Sequence, residues 1–146
     1  MKYLFLFVFL LSSFLVSAQT SFNTGSVRLD ADINLINTQA RTNMSAFRSD
    51  MQLSYNISEK KLNYMSANLN MTPGDIYLSL EISKIARVSL DRVLPVYQTH
   101  RSKGWGVIAK QLGIKPGSAE FHQLKNGTKA KKGKGRGKKH KNKRKH

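Results

Sequence analysis

The side chains able to carry covalent or acid–base chemistry are few and widely spaced: 8 acidic residues, 4 histidines and no cysteine in a chain of 146. Lack of cysteine excludes thiolate nucleophiles, cysteine-ligated metals, disulfides and lipid attachment through a cysteine. His100, His122, His140 and His146 have no carboxylate or second imidazole at ligand spacing, and Glu120 and His122, two apart, diverge on a helix. No metal or other cofactor is therefore expected. Asp30 and Asp32 are a close carboxylate pair that could divide acid and base roles, but at this spacing helix-start capping accounts for them more simply. Glu81, Asp91 and Glu120 are the scattered carboxylates that a hydrolase of cell-wall or surface polymer would use, although their spacing assigns them no roles. No serine sits in a nucleophile elbow, and Gly104, Gly106 and Gly113 lack the preceding strand of a phosphate loop. The balance is against an enzyme.

Charge is the stronger signal. The formal net charge is +17, and the segment from Thr128 to His146 supplies most of it through Lys129, Lys131, Lys132, Lys134, Arg136, Lys138, Lys139, Lys141, Lys143, Arg144 and Lys145. That segment has no acid and no large apolar residue, so it cannot bury enough surface to offset chain ordering and is expected to be a disordered tail, residues 128–146. Such a tail attracts polyanions by neutralising their charges and releasing counterions, without reading bases. It has no aromatic platform for stacking, and lysine outnumbers arginine, which disfavours bidentate recognition.

The other end bears on where that charge acts. Lys2 precedes a continuous apolar run from Tyr3 to Leu11, and Val16, Ser17 and Ala18 offer the small residues of a cleavage site. Residues 1–18 read as a signal peptide, too short and too interrupted by Ser12 and Ser13 for a good membrane span. The expected localisation is exported, periplasmic or extracellular, with no transmembrane span in the mature chain. The partner that follows is an anionic envelope component, a lipid headgroup or acidic glycan, with nucleic acid as the alternative.

Residues 19–127 must fold by packing alone. Ser21 to Arg28 reads as an irregular leader. Leu29, Ile33, Ile36 and Ala40 then repeat at helical spacing, followed by Met44, Phe47 and Met51 after Asn43, and by Leu62, Met65 and Leu69 after Ser58. The methionines suggest ordinary core filling more than a soft binding groove. Thr72, Pro73, Gly74 and Asp75 form the clearest helix start, and the helix beyond them is apolar on several faces, as a central helix would be. Pro95 kinks or delimits the next helix. Strict apolar alternation is missing, so the expected class is all-α: a small single-domain bundle of about five to seven short helices.

The stretch from Gly104 to Lys125 combines an aromatic anchor, turn residues and helical spacing. Trp105, Ile108 and Leu112 share a face, Gly113 suits a left-handed cap, Pro116 and Gly117 make a turn, and Ser118 caps a second short helix carrying Phe121 and Leu124 and ending at Gly127. A helical hairpin closing the core is the expectation. The stretch also resembles the helix-turn-helix family over about 20 residues, with Gly113 as turn glycine; Phe121 and Leu124 then arrive two residues late, His122 fits the pattern poorly, and Glu120, Gln123 and Lys125 would face outward. That alternative binds nucleic acid through the helix pair 104–125 plus the tail. Finally, GWG, GIKPGS and EFH in this order, reaching back to Pro73, Gly74 and Asp75, resemble uncharacterised small exported bacterial proteins. The resemblance implies a folded module and brings no activity. Together these features favour a non-enzymatic exported module that touches a surface polyanion through its tail.

Overall fold

The computed structural model describes residues 21–134, with side chains as far as Thr128. The expected signal peptide, residues 1–18, and the tail beyond residue 134 lie outside the described residues. Among the described residues there are seven α-helices and no strand: α1 Val27–Thr42, α2 Met44–Tyr55, α3 Glu59–Asn63, α4 Pro73–Ala86, α5 Leu90–His100, α6 Trp105–Gln111 and α7 Ala119–Lys134. A π-helical turn, Tyr64–Asn68, extends α3, and a 3₁₀ turn, Arg101–Lys103, joins α5 to α6.

Short polar side chains begin these helices by taking up free amide hydrogens. Asn43 Oδ1 accepts from Ala46 N at 2.9 Å, Ser58 Oγ from Lys61 N at 3.2 Å and Ser118 Oγ from Phe121 N at 3.2 Å. Thr72 and Asp75 go further and form a reciprocal capping box. Ser89 stands at the start of α5 without a side-chain cap bond, and Asp91 instead pairs with Lys61 at 2.6 Å. Pro95 lies inside α5, which continues through it to His100. Both Pro95 and Asp91, whose carbonyl loses its partner, are exposed, so water can replace the missing bond.

α4 is the centre. Every residue from Gly74 to Ile82 is buried, and α1, α2, α5 and α7 all pack on it. Its apolar residues join Leu29 and Ile33 of α1, Met51 of α2, Leu62 and Met65, Val93 of α5, Ile108 of α6 and Leu124 of α7 in one core. Met51, Met65 and Met71 are core residues, whereas Met44 is exposed.

Two expectations for the C-terminal half change. α6 rests on α5 while α7 packs along α1 and α4, so the two do not close on each other as a hairpin. Gly127 does not end the last helix, which runs on to Lys134. A glycine is used inside it because a Cβ there would lie 3.0 Å from Glu81 Oε2 and 3.4 Å from the Tyr77 hydroxyl; close approach, not termination, explains the residue. Thr128, at the expected border of body and tail, is fully buried and its hydroxyl donates to Lys125 O at 2.8 Å. Lys129, Lys131, Lys132 and Lys134 therefore continue a helix seated on the body.

Candidate functional site

The densest polar constellation lies where α4 and α6 begin. The Asp75 carboxylate is 9 % exposed and accepts from Thr72 N at 3.0 Å and Thr72 Oγ1 at 2.7 Å on one oxygen, and from the Trp105 indole Nε1 at 2.8 Å on the other. The helix-start placement of Asp75 and the position of Trp105 at the head of α6 thus bring together two stretches far apart in the chain. Tyr97 of α5 packs on the indole with ring centroids 5.3 Å apart. Burial, then the adjacent Asp75 charge, pushes the Tyr97 phenol up to about 12, opposed by Arg101. Asp75 and Arg101 thus act on the phenol in opposite directions, the carboxylate raising and the guanidinium lowering its pKa.

Residues 21–24 form the wall of this site. The Ser21 to Arg28 leader is irregular until Val27, but it is docked, with Phe22 and Thr24 buried. Phe22 O and Asn23 O accept from Trp105 N at 2.7 Å and Gly106 N at 2.8 Å, satisfying amide hydrogens that the short α6 leaves open. Thr24 is tied in turn to Asp30, whose carboxylate accepts its hydroxyl at 2.7 Å and its amide at 3.1 Å. Gly104 has φ +87°, and a Cβ on it would come within 2.4 Å of Asn23 Cβ. At Gly74 a Cβ would meet Ile33 Cγ2 at 2.5 Å and the Phe22 ring at 2.7 Å. The strap can seat only over residues without side chains. Gly74 N is meanwhile fixed by Asn37 Oδ1 at 2.7 Å.

Over this junction opens a depression of about 270 Å³, lined by Ser21, Asp75, Tyr97, Arg101, Ser102 and Trp105 among others. Its floor is a buried carboxylate and two buried aromatics, and its rim is the exposed Arg101–Lys103 turn. Arg101 Nη1 reaches Leu69 O only at 3.5 Å.

A second buried polar group lies deeper, between α2, α4 and α7. The Tyr55 hydroxyl donates to Glu81 Oε1, and the Tyr55 and Tyr77 rings meet edge to face at 6.5 Å. The Tyr77 hydroxyl is buried with no partner at hydrogen-bond geometry among the described residues, although Tyr55 is near enough to act on its ionisation. Burial first and Glu81 second hold both phenols well above the ordinary tyrosine range.

The three scattered carboxylates stand in unlike settings. Glu81 is buried beneath α7, Asp91 is exposed and paired with Lys61, and Glu120 is exposed at the start of α7. Glu120 is held below the usual carboxylate range by its own backbone amide and then by Ser118. Asp91 and Glu120 line separate depressions. His100 Nδ1 lies 3.2 Å from Val96 O, His122 is exposed, and no group of three metal-ligating side chains occurs among the described residues. Asp32, two residues beyond Asp30, is buried on another side of α1.

Of the anticipated structural residues, Trp105 and Phe121 are buried, Gly113 has φ +93° just beyond α6, Gly117 has φ +79° in the turn after Pro116, and Ser118 caps α7. Glu120 and Gln123 face outward as the helix-turn-helix alternative requires, whereas Lys125 is half-buried, its ammonium 5.3 Å from the Phe121 ring centre. Among the tail cations, Lys129, Lys131, Lys132 and Lys134 lie in α7, and Arg136, Lys138, Lys139, Lys141, Lys143, Arg144 and Lys145 lie outside the described residues. Sequence reasoning missed Phe22, Tyr97 and Arg101. A lone phenylalanine in a polar leader carries no periodic signal, and Tyr97 reads only as one more apolar residue of its helix beside Val93 and Leu94, but the paired glycines of GWG mark a site where another chain segment approaches closely. Compared with family models, curated proteins and solved structures, the chain matches none.

Proposed function

We propose that this chain is a non-enzymatic exported helical module that contacts an anionic envelope or surface component, with the basic tail supplying attraction and the folded body supplying specificity. The observation that carries this reading is the segregation of charge: 11 basic and no acidic side chains lie in residues 128–146, against 13 basic and 8 acidic outside both that segment and the leader. Phe121, Leu124 and Thr128 pin α7 to the body, and the same helix leads into the first tail lysines, so the charge is carried on a fixed mount. The signal-peptide pattern of residues 1–18 supports an exported tail that meets lipid headgroups and acidic glycans, and the lack of tail aromatics disfavours single-stranded nucleic acid. No described helix is long and apolar enough to cross a membrane.

The test is fractionation of producing cells that express the intact chain or one lacking residues 135–146, at low and high salt. Association through the tail should fall steeply with salt and with the deletion, because each released counterion adds to the slope. Association with nucleic acid alone, or equal association by the deleted chain, would reject the reading.

A further inference from the structure

We infer that the depression above Asp75 and Tyr97 is the body's own recognition site, and that Arg101 there binds a single carboxylate of the kind an acidic glycan carries. The inference deepens the polyanion reading by locating its specificity. A guanidinium offers five N–H donors in a planar fork. In this fold Arg101 is exposed, lines the opening with Ser102, and spends only one long contact of its fork on the protein, 3.5 Å from Nη1 to Leu69 O. Asp75, by contrast, is already occupied by Thr72 and the indole, so the free recognition capacity of the cavity is donor capacity.

The surroundings select the anion. Tyr97 and Trp105 form an apolar wall that lowers the local dielectric and strengthens an ion pair at Arg101. The Asp75 charge behind the phenol repels a second negative charge, which favours a monoanionic carboxylate over a phosphate dianion. At about 270 Å³ the cavity takes one such group and not a polymer strand. The tail would draw the polymer in without discrimination, and this site would read one acid group on it.

Trp105 is the one tryptophan of the chain, so its indole N–H, bonded to Asp75, gives a single reporter resonance. The full chain is titrated with sodium glucuronate, glucose and inorganic phosphate in high salt, where exposed tail charges are screened. A saturable shift of the indole resonance is expected with glucuronate, none with glucose and a weaker response with phosphate. Arg101→Gln should weaken glucuronate binding roughly ten- to a hundredfold, as loss of a charged hydrogen-bonding partner does, and Arg101→Lys should fall between. Replacing the tail lysines with glutamine should leave this titration unchanged while abolishing salt-sensitive surface association, so the site and the tail fail separately. An unmoved indole resonance, an equal response to glucose, or unaltered affinity in a folded Arg101→Gln chain would overturn the inference.

Discussion

Asp75 and Glu81 are both buried carboxylates on α4, yet they are held in opposite ways. Asp75 sits in the first turn, where free amide hydrogens favour a negative charge, and it gathers the Thr72 cap and the indole of α6. Glu81 lies in the helix interior, where the backbone offers nothing, and rests on the Tyr55 hydroxyl beside the Tyr77 hydroxyl, which has no partner among the described residues. A buried charge is inexpensive where the backbone already presents donors and depends on distant side chains elsewhere. The Asp75 junction is therefore expected to be the stiffer of the two.

The severest break of that contrast is Trp105→Ala. It removes the buried indole and its bond to Asp75 together, and urea denaturation should show a loss of about 3–5 kcal/mol. The next separates the two carboxylates directly. Asp75→Asn places an amide against the Thr72 donors and should cost about 1.5–3 kcal/mol, whereas Glu81→Gln keeps an acceptor for Tyr55 and should cost less than about 1 kcal/mol in the same assay. Equal losses would erase the distinction.

The finest test uses pH. A phenol whose folded-state pKa is raised binds its proton more tightly in the native chain, so its contribution is complete below the unfolded value of about 10 and disappears as pH rises through the folded one. Tyr55, Tyr77 and Tyr97 are all raised, the last to about 12. Melting temperature should fall steadily above about pH 10. Tyr77→Phe should leave neutral stability unchanged or slightly improved, since it removes a buried hydroxyl that has no partner among the described residues, and should make the alkaline fall shallower.

Legibility followed the range of the interactions. The capping box at Thr72–Asp75, the Asn43 and Ser58 starts and the buried stripe of Leu62, Met65 and Leu69 were readable because each is made within one or two turns of chain. Gly127 misled for the same reason: a local rule makes glycine a helix end, but its neighbour across the packing, Glu81, lies 46 positions earlier. Phe22 could not be recognised as core, because the surfaces that bury it belong to α1 and to the beginnings of α4 and α6.

By itself the sequence determined that this protein is helical, held without disulfides, and divided in charge between a mildly basic body and a densely basic end, since composition and short-range periodicity are properties of the chain before it folds. Tertiary structure alone decided that Asp75 would meet Trp105 and stand beside Tyr97, and that the last helix would pass over Glu81 at Gly127. Those pairings join residues 22 to 46 positions apart, and at that distance partners are selected by which surfaces exclude water together, a choice no local pattern records.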